Sequence, residues 1–280
     1  MYKQYLSYLI LFTLITSCVE DFDVELNSTY ERIIIQGSIS NERKAHKVIL
    51  SKSADYFSNE QTPRISGATV TISDGSDTFI LTEVAPGIYE TDTLAGVSGK
   101  TYTLNALIEG ELYESSCYMN YIAPIDSIKI GYYDYGDFQE EDTFAVVLLY
   151  AQEPEIKGNY YLWDVYKNGV LESDTLRDKW LETDQFVNGM YISEYQAQWL
   201  AANTGDTVTL EMQSITEEYY EYYYQIMSVT EWNGGPLSGP PANPVGNISN
   251  DALGFFLAYS QERKTIIVPK VEDRLLLSWY

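Results

Sequence analysis

Apolar and polar residues alternate along much of this chain, and the alternation predicts strands. Arg32–Ile39 is rich in β-branched residues and is interrupted by Gly37, where a bulge would fit. His46–Ser51 and Ala68–Ser73 alternate, the second running into an Asp74-Gly75 turn; Thr78–Glu83 follows, then a Pro86-Gly87 turn and the short run Ile88–Thr91. Thr101–Ile108 and Glu111–Tyr121 are separated only by Glu109-Gly110, as in a tight hairpin. On the second of these, Tyr113, Cys117, Met119 and Tyr121 share one face, read as the buried one. Short strands at roughly ten-residue spacing, punctuated by Gly, Pro and Asp, predict a mainly β protein whose residues 31–122 form an immunoglobulin- or transthyretin-like β-sandwich.

Ala123-Pro124 marks a boundary, since the residue before proline is pushed to extended geometry. Beyond it come Ser127–Tyr133, an acidic stretch Asp134–Asp142, and the apolar run Thr143–Ala151. Tyr160–Tyr166 and Val170–Ser173 flank Asn168-Gly169, which supplies the positive φ of a type I′ hairpin turn. Ser193 followed by Gln196 reads as a capping box opening a short helix to about Ala202, and Asp206–Ser214 alternates as a strand. Tyr219, Tyr223, Ile226 and Met227 recur at helical spacing, so a helix is predicted over 217–229, capped by Thr216, with Glu217 and Glu218 at its positive end. Its tyrosines are read as packing against a sheet. Trp232–Asn250 is too rich in Gly and Pro for regular structure. Leu253–Tyr259, Thr265–Val268 and Arg274–Tyr280 return to strand. Residues 123–280 are thus expected to form a second, β-rich domain with one or two short helices.

The start of the chain follows another rule. A basic Lys3, an apolar run from Tyr5 to Ile15 and the small residues Thr16-Ser17 before Cys18 make a secretory signal, too short for a spanning helix. The cysteine in that register resembles a bacterial lipoprotein signal. That resemblance implies cleavage after residue 17, a lipid on the Cys18 sulfur, and acyl chains such as palmitate holding the protein in a membrane. Residues 18–30 are polar and acidic and read as a tether; about twelve residues at ~3.3 Å each reach ~40 Å from the lipid.

Composition narrows the chemistry. There are 17 basic and 41 acidic residues, a formal charge of −24, which opposes nucleic acid and anionic headgroups. With Cys18 lipidated, Cys117 is alone and reads as a buried, inert thiol. His46 is the single histidine, so a Ser–His–Asp or Cys–His site would need it, and a multi-His/Cys zinc site has no ligands. Asp134, Asp137, Glu140, Glu141 and Asp142 form a candidate calcium loop, but their spacing departs from the EF-hand, and a solvated acidic loop competes with it. Paired carboxylates for glycoside hydrolysis discriminate nothing among so many acids. Aromatic residues offer a ligand platform: Trp180 and Trp232, with Asn233, are assigned to loops and to ligand binding, whereas Trp163 and Trp199 are assigned to the core.

Gly246-Asn247-Ile248-Ser249 followed by Ala252-Leu253-Gly254-Phe255-Phe256-Leu257-Ala258-Tyr259-Ser260 resembles the C-terminal signature of a Bacteroidota lipoprotein family, domain of unknown function 4249. Gly205-Asp206-Thr207-Val208, the Tyr-rich helix, Gly87-Ile88-Tyr89 and Asp126-Ser127-Ile128 fit the same pattern; the one departure is Asp251, where glycine is expected. The resemblance implies that Glu20, Asp21 and Asp23 act as an export signal to the outer face of the outer membrane, the periplasmic face being the alternative. It also implies a TonB-dependent receptor barrel as partner. The expected function is therefore a non-enzymatic surface lipoprotein that captures or presents a glycan or peptide ligand for such a transporter. A structural or adhesive subunit is the alternative, and a carboxylate-based hydrolase ranks below both. Replacing Cys18 by Ala should move the protein from the membrane pellet to the soluble fraction; a variant that stays in the pellet contradicts the anchor.

Overall fold

The computed structural model describes residues 31–54, 62–133, 144–230, 242–270, 273 and 275–277. In the first half, β1 (Ile33–Ser40), β2 (Lys47–Lys52), β3 (Thr69–Ser73), β4 (Thr78–Ile80), β5 (Thr82–Ala85), β6 (Ile88–Glu90), β7 (Thr101–Ile108) and β8 (Glu111–Tyr118) follow the alternation. One sheet has the order β4-β3-β7-β8, and facing it lie β1, β2, β6 and β5. Tyr102, Leu104, Ala106 and Ile108 of β7 meet Ile35, Ile39, Val48 and Leu50 across the core, as a sandwich requires. The predicted strand Thr78–Glu83 is in fact two. Leu81, buried and donating its N–H to Val70 O at 2.9 Å, is the corner where the chain changes sheets. Tyr121 also departs from expectation: β8 stops at Tyr118, and the Tyr121 side chain is exposed while Met119 is fully buried.

The second half supplies β9 (Ile125–Tyr133), β10 (Phe144–Gln152), β11 (Tyr160–Lys167), β12 (Val170–Leu171), β13 (Trp180–Thr183), β14 (Tyr191–Ala201), β15 (Thr207–Ile215), α1 (Glu217–Thr230), β16 (Leu253–Ile267) and β17 (Leu275–Leu277). A sheet of order β14-β10-β9-β17 faces β11, β15 and the far part of β16 across a core that includes Ile130, Val147, Leu149, Trp163 and Leu210.

The expected helix at Ser193–Ala202 is instead strand β14. It pairs with β10, and two register shifts along that ladder break the period of two, with Glu194 at φ +57°. Ala197 and Leu200, both buried, consequently lie three apart and imitate helical spacing. Gln196 spends its side chain on the Tyr133 hydroxyl rather than on a helix terminus. The helix predicted over 217–229 is α1, with Thr216 Oγ1 accepting from Tyr219 N at 3.3 Å. Tyr219 and Tyr222 pack on Phe255, ring centroids 5.1 and 5.0 Å apart.

β16 also corrects the sequence reading, which left its polar centre Ser260–Lys264 as a break. It is one 15-residue strand. Its first part pairs in parallel with β1, from Ile34 opposite Leu253 to Ser40 opposite Tyr259. Its second part pairs antiparallel with β15, from Ser214 opposite Ser260 to Thr207 opposite Ile267. Ser260 and Gln261 are buried, and hydrogen bonds offset much of that cost: Ser260 Oγ donates to Asn120 O at 2.5 Å, and Gln261 N donates to Asn41 Oδ1 at 2.8 Å. β16 thereby joins a nine-stranded sheet of order β12-β11-β15-β16-β1-β2-β6-β5, with β13 also on β11.

Beside β16 sits an ionic cluster with buried carboxylates, Glu211 and Asp164, and a half-exposed Arg263. Arg263 Nε donates to Glu211 Oε2 at 2.5 Å and Nη1 to Glu42 Oε1 at 2.8 Å, while Gln213 Nε2 bridges Glu211 and Asp164 at 2.7 and 3.0 Å. Lys179 and Ser173 complete the shell of Asp164.

The entry to β16 explains the glycine pattern before it. A Cβ on Gly254, φ +101°, would fall 2.0 Å from Ile35 O, and one on Gly246 would fall 1.8 Å from Gly254 O. Asn247 lies between them in sequence, its side chain accepting from Phe256 N and donating to Phe256 O, both at 2.9 Å. Asp251, where glycine was expected, has φ +53°, a left-handed conformation that Asp tolerates better than most side chains. Gly254→Ala should cost about 3 kcal/mol or more in urea unfolding, through overpacking and backbone strain together. Gly110→Ala, at a hairpin turn with no atom near the added Cβ, should cost only about 1 kcal/mol despite φ +90°.

Candidate functional site

An apolar cavity follows from the pairing of an edge strand. β13 pairs with β11 so that Trp180 lies opposite Trp163 and Glu182 opposite Tyr161. By alternation these residues face the core of the second sandwich. Leu181, between them, faces the α1 side and joins the core of the first half. After β13 the chain turns through residues 184–190, and this turn is stitched to residues 153–159, which follow β10. Asp184 N donates to Asn159 O at 3.1 Å, Gly189 N to Pro154 O at 3.0 Å, and Glu153 N to Met190 O at 3.0 Å. The buried Asp184 carboxylate accepts from Gly158 N at 2.9 Å and Asn159 Nδ2 at 3.2 Å.

These stitches close the end of the sandwich over a cavity of about 260 Å³. Leu149, Ala151, Ile192 and Met212 give it an apolar lining, and Phe186 stands at its margin. Phe186, Ile156 and Met190, all on the stitched segments, are 84%, 77% and 57% exposed, an unusual amount of apolar surface for two short turns.

Its polar groups are few and definite. Tyr161 Oη donates to Glu153 Oε1 at 2.8 Å, and Asn159 Nδ2 donates to the same oxygen at 3.1 Å. Tyr195 Oη donates to Glu182 Oε1 at 2.6 Å, and Trp180 Nε1 donates to that oxygen at 2.8 Å. Each carboxylate therefore has both of these bonds on one oxygen. Trp163 meets Tyr195 edge to face, centroids 5.2 Å apart at 83°. Trp163 is only 5% exposed, and its Nε1 has no hydrogen-bond partner. A buried donor left unmatched costs about 1–3 kcal/mol.

Burial pushes the Glu153 carboxyl above the ordinary range, and the charge of Asp184 adds to the shift. Burial likewise raises Tyr161, helped by Glu153, and Tyr195, helped by Glu182. Both hydroxyls stay protonated and act as donors. On the opposite face of β13, a cleft of about 510 Å³ lies between Lys157, Asp184, Tyr160 and the α1 residues Glu217, Tyr220 and Glu221. There the hydrogen bond to Glu217, followed by burial, pushes Tyr160 up to about 12.

The model of a family described as Domain of unknown function (DUF4249) matches residues 19–265. The chain belongs to this family. No curated protein matches it. The DUF4249 match takes in both halves, the glycine-flanked entry to β16 and every residue of the cavity.

Of the residues singled out by sequence in this DUF4249 chain, Cys18, Glu20, Asp21 and Asp23 lie outside the described residues. So do Asp134, Asp137, Glu140, Glu141 and Asp142, and so do Trp232 and Asn233. Trp180 is not in a loop: it is the first residue of β13, 39% exposed, with its indole nitrogen committed to Glu182. Trp163 is core, as expected, yet it is also a cavity wall. His46 is buried, with Nδ1 accepting from Ser40 N at 3.4 Å and Nε2 facing Leu94 O at 3.1 Å. Burial is the main cause that lowers its pKa. Cys117 is buried and its thiol is pushed up to about 11, in keeping with an inert role. Among the described residues, no cluster of His, Cys, Asp and Glu has the arrangement of a metal site.

Sequence reasoning passed over Glu153, Tyr161, Glu182 and Tyr195. The available signal was Glu153-Pro154 directly after the apolar run of β10, an acid placed where burial continues. Because its folded pKa is raised, Glu153 favours folding fully below the unfolded carboxylate value near ~4.3, and this is lost as pH rises through the folded pKa. Glu153→Gln keeps the acceptor for Tyr161 and removes the charge. Its Tm should exceed wild type by ~2–4 °C at pH 7.5 and match it at pH 4; an unchanged difference between the two pH values contradicts the buried-charge assignment.

Proposed function

We propose that this protein is an exported lipoprotein, anchored through Cys18 in an outer membrane, which captures a ligand in the cavity beneath Phe186 and passes it to a TonB-dependent transporter. The observation that carries the binding part is the cavity of about 260 Å³ with an apolar lining, an exposed aromatic margin and a buried, unpartnered Trp163 Nε1. Small-molecule sites have this composition, a mostly apolar concavity with a few placed polar groups. The signal-like start and the acidic residues after Cys18 support the location, and the tether would hold the sandwich clear of the lipid.

The arrangement favours capture over turnover. Glu153 and Glu182 each accept from a tyrosine hydroxyl, so their side chains are held as fixed acceptors in a wall. The sole histidine, His46, lies in the first sandwich beside β1, and its ring faces backbone atoms there.

Affinity purification of the full chain from detergent-solubilised membranes should recover an outer-membrane barrel in fixed ratio. Recovery of the chain alone, under conditions that keep other outer-membrane complexes intact, contradicts the transporter part. Ala151→Trp, which fills the cavity, should leave barrel recovery unchanged while abolishing ligand-dependent change in tryptophan emission.

A further inference from the structure

Resting on that reading, we propose that the cavity takes the amino-terminal residue of a peptide whose first side chain is apolar. The complement of the wall defines this ligand. Two carboxylates, Glu153 and Glu182, line the same cavity on either side of Tyr161. Glu182 is directly across the β-ladder from Tyr161, whose hydroxyl bonds Glu153. The hydrogen bonds to both carboxylates fall on Oε1, leaving the second oxygen of each without a bond from the described residues. The third free group is a donor, Trp163 Nε1, on a ring packed against the Tyr195 that bonds Glu182. A fitting ligand therefore carries a cation, one neutral acceptor and an apolar group on a body small enough for about 260 Å³.

An α-ammonium next to an amide carbonyl, bearing an aliphatic or aromatic side chain, meets all three demands. The ammonium donates to the free oxygens of Glu153 and Glu182, the first carbonyl accepts from Trp163, and the side chain fills the space among Leu149, Ala151 and Met212. A lysine side chain brings the cation without an adjoining acceptor. A neutral sugar brings acceptors without the cation or the apolar mass. A free carboxylate would meet two acidic walls. The rest of the peptide leaves past Phe186 and Met190, whose exposed apolar surface suits further side chains.

The ammonium also removes a cost. Glu153 is buried beside the charge of Asp184, and a cation restores the balance that burial upset.

The test is a calorimetric titration of the full chain in detergent at pH 7.5. The probes are L-leucyl-glycinamide, its N-acetyl form and maltotriose. The free-amine peptide should bind saturably, with acetylation weakening it about tenfold or more. Glu182→Gln, which keeps the acceptor for Tyr195, should weaken the free amine by about tenfold and leave the acetyl form unchanged. Trp163→Phe should weaken both. If Glu182→Gln does not fold, the wild type still decides: affinity for the free amine should fall as pH drops through the carboxylate range. Equal binding of the two peptides overturns the amino-terminal assignment while the cavity still binds. Binding of maltotriose alone, lost in Ala151→Trp, does the same in favour of a glycan. Absence of binding for all three probes overturns the assignment too, and the barrel recovery described above then judges the wider reading separately.

Discussion

The fold depends on one strand shared between two sandwiches. β16 gives its first part to β1 in parallel and its second part to β15 in antiparallel, so the sheets of both halves become one. A strand this long with a polar centre holds when most of its buried polar groups find partners. Ser260 Oγ and Gln261 N are met by Asn120 and Asn41, and the half-exposed Arg263 by the pair Glu211–Glu42, while Gln261 Oε1 stays without a partner. The entry to the strand is fixed as tightly. Gly246 and Gly254 are in place because backbone oxygens occupy the positions a Cβ would need. Asn247 closes two hydrogen bonds on Phe256, as a neighbouring strand would. The stretch from Gly246 to Phe256 thus encodes a backbone junction.

That rigid frame has a consequence at its far edge. Because β16 and β15 anchor β11, the edge strand β13 is held against a fixed neighbour, and Glu182 is set opposite Tyr161. The two stitched segments around residues 153–159 and 184–190 then close the sandwich with backbone hydrogen bonds instead of a filled core. An interior normally packs to the density of an organic crystal, so a cavity edged by exposed Phe186 and backed by a lone indole N–H departs from that rule. Such departures concentrate where a protein binds something.

Much of the fold was legible because alternation carries it: β1 to β3, β7, β8, the Asn168-Gly169 hairpin and α1 all follow from period and turn chemistry. Three features were hidden for physical reasons. Two bulges in β14 replaced the period of two by a spacing that resembles a helix. The polar centre of β16 looked like a loop because its partners, Asn41, Asn120 and Glu211, are distant in sequence. The corner at Leu81 carries no glycine or proline to announce it. The site was harder still. Trp163 was correctly assigned to the core, but only the cross-strand register shows Glu182 set opposite Tyr161, and only the folded chain shows Glu153 bonded to the Tyr161 hydroxyl. A single residue such as Trp180 could be singled out from sequence, whereas its commitment to Glu182 depends on β13 forming.

The proposed ligand site turns on the unpartnered Trp163 indole. Of the five tryptophans in the chain, each gives one indole N–H signal in a proton–nitrogen correlation spectrum, and Trp163→Phe identifies the relevant one. On titration with L-leucyl-glycinamide, the Trp163 signal should shift downfield and saturate, as a donor gaining an acceptor does. A Trp163 signal that stays fixed while another indole responds would contradict it.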